Sequence, residues 1–239
     1  MGLHLLPLGV ADATSAVHFS SAFALECDGR WLLVECPHPI RLMMSSASKA
    51  ARVGLDVERI EGVLVTSAGQ AKASGLIALG QHGRQVLGRN TALLAHPDVL
   101  ATLPAAPTEL PPASTTTPNS LHHFFDVRSL ATSHTVQFGP FEVECRRTLA
   151  DTPATAVRVS AGNRTLGYSS DTPLDEELLQ WLGASDVFLF DGATAAHVDA
   201  IQRLEPSLRA RAQLIHYPDS HDAERSLVPC VRAGRWYRV

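Results

Sequence analysis

Residues 22–35 read AFALEC, then Asp28-Gly29, then RWLLVE, and this pair of apolar runs around a two-residue turn constrains the fold more than any other stretch. Asp-Gly suits a tight turn because both central residues need positive φ, so the two runs are expected to pair as a hairpin. LHLLPL at 3–8 precedes them as a third strand, and the chain therefore opens as a meander. From Ile40 to Val53 the apolar spacing turns helical and stops near Gly54. GVLVT at 62–66 is a short, fully apolar run of the kind a doubly covered strand carries. AKASGLIALGQHG then suits a helix, RQVLG and TALLA suit short strands, and HPDVLATL suits another helix.

PAAPTELPPASTTTPN at 104–119 has no periodicity and is expected to be a surface loop. A second strand set follows it, HTVQF, FEVECRRT, TAVRVS and RTLGYSS. The C-terminal part alternates helix (LDEELLQWL), strand (DVFLF), helix (AAHVDAIQRL) and strand (AQLIHY), with a last strand near GRWYRV. Two β-rich halves, 1–118 and 119–239, each trailing helices, predict an α/β fold: a four-layer αββα sandwich of two mixed sheets packed face to face. With 239 residues, 45% of them hydrophobic, the chain is expected to form one large domain over 1–239.

A formal net charge of -4, from 20 basic and 24 acidic residues, gives no footprint for a polyanion, so nucleic acid is not indicated. MGLHLLPLGV is too short to span a membrane and lacks the basic flank of a signal peptide, and Leu6 breaks the pattern that Met1-Gly2 would need for myristoylation. No membrane association is expected. Cys27, Cys36, Cys145 and Cys230 show no C-x-x-C spacing and are expected to be reduced thiols of a cytoplasmic protein.

Three pieces of sequence carry a resemblance. After the apolar strand at 62–66 the chain reads Thr66-Ser67-Ala68-Gly69-Gln70-Ala71-Lys72-Ala73-Ser74-Gly75-Leu76; later come Tyr168-Ser169-Ser170-Asp171-Thr172 and Leu214-Ile215-His216-Tyr217. In this order, at these strand ends, they resemble the metallo-β-lactamase superfamily, especially its tRNA-processing endonuclease and phosphodiesterase branch. Its motifs are T-H-x-H-x-D-H-x-x-G-L, Y-S-G-D-T and L-x-H. The resemblance spans essentially the whole chain and implies a site that holds two zinc ions. Ser67, Gly69, Ala71 and Lys72 stand where that family has His, His, Asp and His, and none is an ordinary zinc ligand. A further family histidine should fall near 148–152, where Asp151 is the nearest replacement. Asp171, the family's bridging aspartate, and His216, its terminal histidine, survive as the residual metal candidates.

The expectation is accordingly a degenerate member with no metal or other cofactor. Hydrolysis by a metal-bound water needs three or more protein ligands, and Asp171 and His216 supply two. Lys72 either pairs its ammonium with Asp171, with His216 beside them, or points to solvent from the first turn of a helix. His38, in Glu35-Cys36-Pro37-His38-Pro39, falls where the family has an aspartate-cysteine-glycine turn near the pocket. Arg146-Arg147 either bind a phosphate at the pocket mouth or form the solvent side of a strand. Three functions remain open: an inactive scaffold that binds a protein partner or a small ligand, a residual phosphodiesterase with a single zinc or manganese ion acting on a nucleotide or phosphoester, and a structural subunit of a larger assembly. Homodimers, common in the branch, are implied by the resemblance alone.

Overall fold

The hairpin forms as the sequence predicts. β2 (Ala22–Cys27) and β3 (Arg30–Val34) pair antiparallel with Cys27 opposite Arg30, and Asp28 and Gly29 take φ values of 53° and 78°. A computed structural model describes residues 2–103, 121–132, 134–192 and 194–239. The Pro-rich loop expected at 104–119 lies outside the described residues.

Around the hairpin a seven-stranded sheet is built in the order β13-β1-β2-β3-β4-β5-β6. The new members are β1 (His4–Gly9), β4 (Ile60–Leu64), β5 (Thr91–Ala95), β6 (Phe125–Ser129) and β13 (Tyr237–Arg238). The chain then crosses to a six-stranded sheet of order β12-β11-β10-β9-β8-β7. It comprises β7 (Val136–Phe138), β8 (Phe141–Arg147), β9 (Thr155–Ala161), β10 (Arg164–Tyr168), β11 (Val187–Asp191) and β12 (Ala212–Ile215). The final strand β13 returns to the first sheet beside β1.

Both sheets are mixed, and alternation along their strands divides the core into three apolar masses. One lies between the sheets, where Phe23 of the first meets Tyr168 of the second edge-on, ring centres 5.2 Å apart. A second lies under α1 (Ile40–Ala51) and α3 (Leu76–Gln85), and a third under α5 (Glu176–Gly183) and α6 (Ala195–Arg203). The result is the four-layer αββα sandwich. Each large side chain that these masses remove from water contributes roughly 1.5–3 kcal/mol.

Two local expectations fail for visible reasons. RQVLG is not a strand: α3 buries Leu76, Leu79, Gly80 and Gly83 at helical spacing and continues through Gln85, and Val86 is exposed with no strand beside it. AKASGLIALGQHG is not one helix but two, α2 (Gln70–Ala73) and α3, broken where the Cys36-Pro37 turn crosses. Gly75 donates to the Cys36 carbonyl at 2.7 Å, and a Cβ there would lie 2.6 Å from the Pro37 oxygen, so only glycine admits the crossing. β6 forms from Phe125–Ser129, a stretch the sequence reading did not assign.

Strands β3, β4 and β5 run parallel, as do β10, β11 and β12, so the segments leaving their carboxyl ends gather at one edge of each sheet. Ligand sites of open α/β sheets lie beyond such ends. The two edges are stitched together there: Thr155 donates to the Thr66 carbonyl at 2.9 Å, and Ser67 bridges to Ala154.

Candidate functional site

Gly69 caps α2, and the helix's short turn leaves Gln70 exposed while Lys72 faces inward at 1% exposure. Of the two orientations open to Lys72, the structure takes the buried one. Its ammonium donates to the Tyr168 hydroxyl at 2.6 Å and to Ser21 Oγ at 3.5 Å, and lies 3.5 Å from Asp171 Oδ1 and 3.7 Å from Asp191 Oδ2. Tyr168, Asp171 and Asp191 come from the carboxyl ends of β10 and β11, and Ser21 from the segment entering β2. Burial opposes the charge on Lys72, but Tyr168 and the carboxylates of Asp171, Asp191 and Glu35 outweigh it and hold the pKa well above the usual lysine value.

The groups around the ammonium are set by it in turn. Burial would raise Asp171, yet Lys72 and a hydrogen bond from Ser67 draw its carboxyl below the ordinary range. His216, 9% exposed, meets Ser21 Oγ through Nδ1 at 2.7 Å. Burial and the nearby ammonium push it down to about 3, against Asp171 and Asp12, so the ring is neutral at physiological pH. Glu35 directly follows β3 and is fully buried, and burial pushes it up to about 7 despite Lys72 and the hydrogen bonds from Thr66. Thr66 Oγ1 bonds to both Glu35 and Ser170 Oγ, the latter at 2.5 Å.

Backbone strain collects in the same place. Glu35, Ser170 and His216 adopt φ values of 64°, 55° and 61° without being glycine. Each such residue costs on the order of 1–3 kcal/mol, and such costs persist where surrounding contacts over-determine the chain. Here those contacts are the Thr66 bridge and the Ser21-His216 bond.

The residues singled out in the sequence separate clearly. Lys72, Asp171 and His216 meet, and Ser67, 2% exposed, joins them through Asp171. Gly69 caps α2 and Ala71 is half-buried on it. Asp151 does not take a histidine's place: it is exposed in a loop closed by a Thr148 to Ala154 backbone bond, whereas Asp191, which the sequence reading missed, lies in the cluster. His38 is exposed, with its backbone N–H bound to Ser74 Oγ. Arg146 lies over the Trp181 ring and Arg147 pairs with Asp98 at 2.9 Å, both on exposed positions of β8. Tyr168, Ser21 and Glu35 were likewise not anticipated as parts of the site.

The donor set can be tested against the metals that the fold implies. Four positions of the two-zinc motif hold Ser67, Gly69, Ala71 and Lys72, so the residues do not fit a dinuclear centre. Among the described residues, one group of three potential ligands exists: atoms of Asp171, Asp191 and His216 lie within 4.8 Å of one another. A cation among them would share that space with the Lys72 ammonium, which already stands within 3.7 Å of both carboxylates. A single ion fits only with Lys72 displaced or deprotonated.

The family model for Anti-Pycsar protein Apyc1 matches residues 3–232. The chain belongs to the Apyc1 family. Solved structures add the fold, which is that of the metallo-β-lactamases. YhfI from Bacillus subtilis, described as a metallo-β-lactamase-fold protein, is similar at 13% identity and a TM-score of 0.76 over 99% of both chains. Zinc-bound PqqB from Methylobacterium extorquens is similar at 17% identity and 0.70, covering 99% of this chain and 100% of its own. The short form of human tRNase Z follows at 14% and 0.66 over 98% of each. No curated protein matches the chain in sequence. Among the described residues of this Apyc1-family chain no helix is long and apolar enough to cross a membrane, and its four cysteines are free thiols.

Proposed function

We propose that this member of the Apyc1 family has exchanged its metal centre for the Lys72 ammonium and acts by binding, at the former metal site, a small ligand or a protein partner, without hydrolysing it. The observation that carries the reading is the buried ammonium held by Tyr168, Asp171 and Asp191 where one of the family's metal ligands would stand. A positive charge fixed there does what a zinc ion does for the carboxylates, but it has no open coordination position for water and cannot lower a water's pKa.

Metal analysis of protein purified without chelator, paired with turnover of bis(p-nitrophenyl) phosphate in added zinc or manganese, tests it. The expected result is substoichiometric metal and no turnover. Stoichiometric metal together with turnover that Asp171→Ala abolishes overturns the reading.

One observation favours a second reading, a metal-dependent phosphodiesterase acting on a nucleotide or phosphoester. Asp171, Asp191 and His216 present three convergent donor groups, the minimum for a catalytic single-ion site. That reading requires Lys72 to leave the cluster on metal binding, so Lys72→Ala should raise metal affinity under it.

A further inference from the structure

We propose that the loops around the site form a docking surface for a protein partner, and that the partner presents a segment carrying both lysine or arginine and large apolar side chains. The inference rests on the binding reading above and chooses, of its two kinds of ligand, the protein. Three segments carry it: residues 11–20 between β1 and β2, 148–154 between β8 and β9, and 169–177 leading from β10 into α5. β1 and β3 both oppose β2, and β8 and β10 both oppose β9, so all three leave at the edge where the ammonium sits. Each is tied to the site. Ser21 follows the first and bonds to His216, Thr148 Oγ1 donates to the Asp171 carbonyl at 2.8 Å, and Asp171 belongs to the third.

These segments turn large apolar side chains to solvent. Val17 is 72% exposed, Phe19 36%, Leu149 69% and Leu174 48%, four of the seven large hydrophobic residues exposed among the described residues. A single exposed leucine is ordinary, but apolar side chains gathered on loops of one edge mark a contact surface. Negative charge gathers there independently. Asp12, Asp151, Asp175, Glu176 and Glu177 accompany Asp171, and the three segments contain no lysine or arginine. None of those five carboxylates is paired with a lysine or arginine among the described residues. The whole chain has a net charge of only -4, so its remainder is slightly basic and the acidity belongs to these loops.

Charge and apolar exposure together select the occupant. A second copy related by a two-fold axis would set acidic loops against acidic loops, and an anionic lipid surface is repelled for the same reason. A basic segment with apolar side chains answers both features, and lysine and arginine stems themselves cover apolar surface while their heads meet carboxylates. The first loop is already held for such a contact. Ala11 bridges to Ser20 and to Tyr217, and Asp219 accepts from the Ser15 hydroxyl and, at 2.8 Å, from the Ala16 N–H. Docking on a loop tied at its base and its tip costs little ordering.

The test titrates chelator-treated full-length protein with three synthetic helical peptides of equal length: an amphipathic leucine-lysine peptide, its leucine-glutamate counterpart, and a lysine-serine peptide of the same charge as the first. Backbone amide shifts are the readout. The leucine-lysine peptide should bind saturably with its shifts confined to the three segments, the lysine-serine peptide about tenfold more weakly, and the leucine-glutamate peptide not at all. Leu149→Ser with Leu174→Ser should weaken the leucine-lysine peptide about tenfold, and Glu176→Gln with Glu177→Gln roughly threefold at low salt. All four side chains are exposed, so unchanged urea midpoints separate lost docking from lost folding. Val86→Ser, an exposed apolar residue after α3, should leave binding as it is. No saturable binding of the leucine-lysine peptide, shifts outside the three segments, equal binding of the leucine-glutamate peptide, or affinity undiminished in Leu149→Ser/Leu174→Ser overturns the inference. So does self-association, or binding to phosphatidylglycerol vesicles, that those two substitutions abolish. These outcomes are read in chelated protein, so they are distinct from the metal and turnover results that bear on the metal-free reading.

Discussion

Replacing Lys72 by Met keeps most of the stem's volume and deletes the ammonium, which isolates the charge that the site depends on. Lys72 stands 3.5 Å from Asp171 and 3.7 Å from Asp191, and at an effective dielectric of ~20 each contact carries about 4–5 kcal/mol of gross attraction. Most of that offsets desolvation, and removing one partner of a buried pair costs on the order of 3–5 kcal/mol net. Asp171 is a third exposed, so water screens its share and Asp191 carries the larger part. Urea unfolding of Lys72→Met at pH 7 should therefore show a loss of about 3–5 kcal/mol.

The pH dependence identifies the cause. In the wild type Asp171 is held below its ordinary value, so its stabilisation is present above the unfolded pKa of ~3.9 and disappears as pH falls through the lowered one. In the variant the carboxylates have lost their cation, burial lifts their folded pKa, and a penalty absent below pH ~4 grows as pH rises. The gap between the two proteins should widen from pH 4.5 to 7, and adding Asp171→Asn and Asp191→Asn to Lys72→Met should recover at least half of it. A gap under about 1 kcal/mol at pH 7, unchanged by pH, is the size expected for an unremarkable substitution and would refute the account of Lys72 as the compensating charge.

Three further outcomes follow from the same geometry. The His216 ring, pushed down to about 3 by burial and Lys72, should show no imidazole proton shift in NMR titration between pH 5 and 8. Glu35 is raised to about 7, so the stability it confers is complete below ~4.5 and is lost as pH rises through 7; Glu35→Gln should flatten the wild-type decline across that window by about 3 kcal/mol, measured by urea midpoints. Gly75→Ala puts a Cβ 2.6 Å from a backbone oxygen that cannot yield cheaply, and should lower stability by roughly 1–3 kcal/mol in thermal or urea unfolding.

What the sequence made legible was local. Asp28-Gly29 announced its hairpin because turn geometry restricts residue choice, and GVLVT announced a covered strand because a doubly packed strand admits little but apolar side chains. RQVLG misled because five residues of mixed character suit a strand or the last turn of a helix equally, and only the packing of Leu76 and Leu79 decides. The site was half legible. Asp171 and His216 stood in motifs, but Asp191 only ends an apolar run, DVFLFD, whose closing polar residue was the available signal. Ser21, Glu35 and Tyr168 are 51, 37 and 96 residues from Lys72, and they meet it only because two sheets pack with their carboxyl edges together. Lys72 itself had two orientations until the register of α2 set one.

The charges also explain why these replacements occur as a set. Two zinc ions would bring four positive charges to a site that includes the aspartate position now held by Ala71. With that carboxylate gone and one ammonium gained at Lys72, two carboxylates remain, and the cluster is one negative charge in excess. A second uncompensated carboxylate would be hard to tolerate at zero exposure, and Glu35 is the group that yields, its proton retained toward neutrality beneath Thr66 and Ser170. The raised Glu35 and the lowered Asp171 are then two responses to one set of charges. Removing the Asp171 charge should therefore lower Glu35 toward its ordinary value, so Asp171→Asn should shift the Glu35-linked loss of stability to lower pH, measurable by urea midpoints between pH 5 and 8. An unchanged pH profile in Asp171→Asn would show that Glu35 does not sense that carboxylate, and that the two groups balance separate charges.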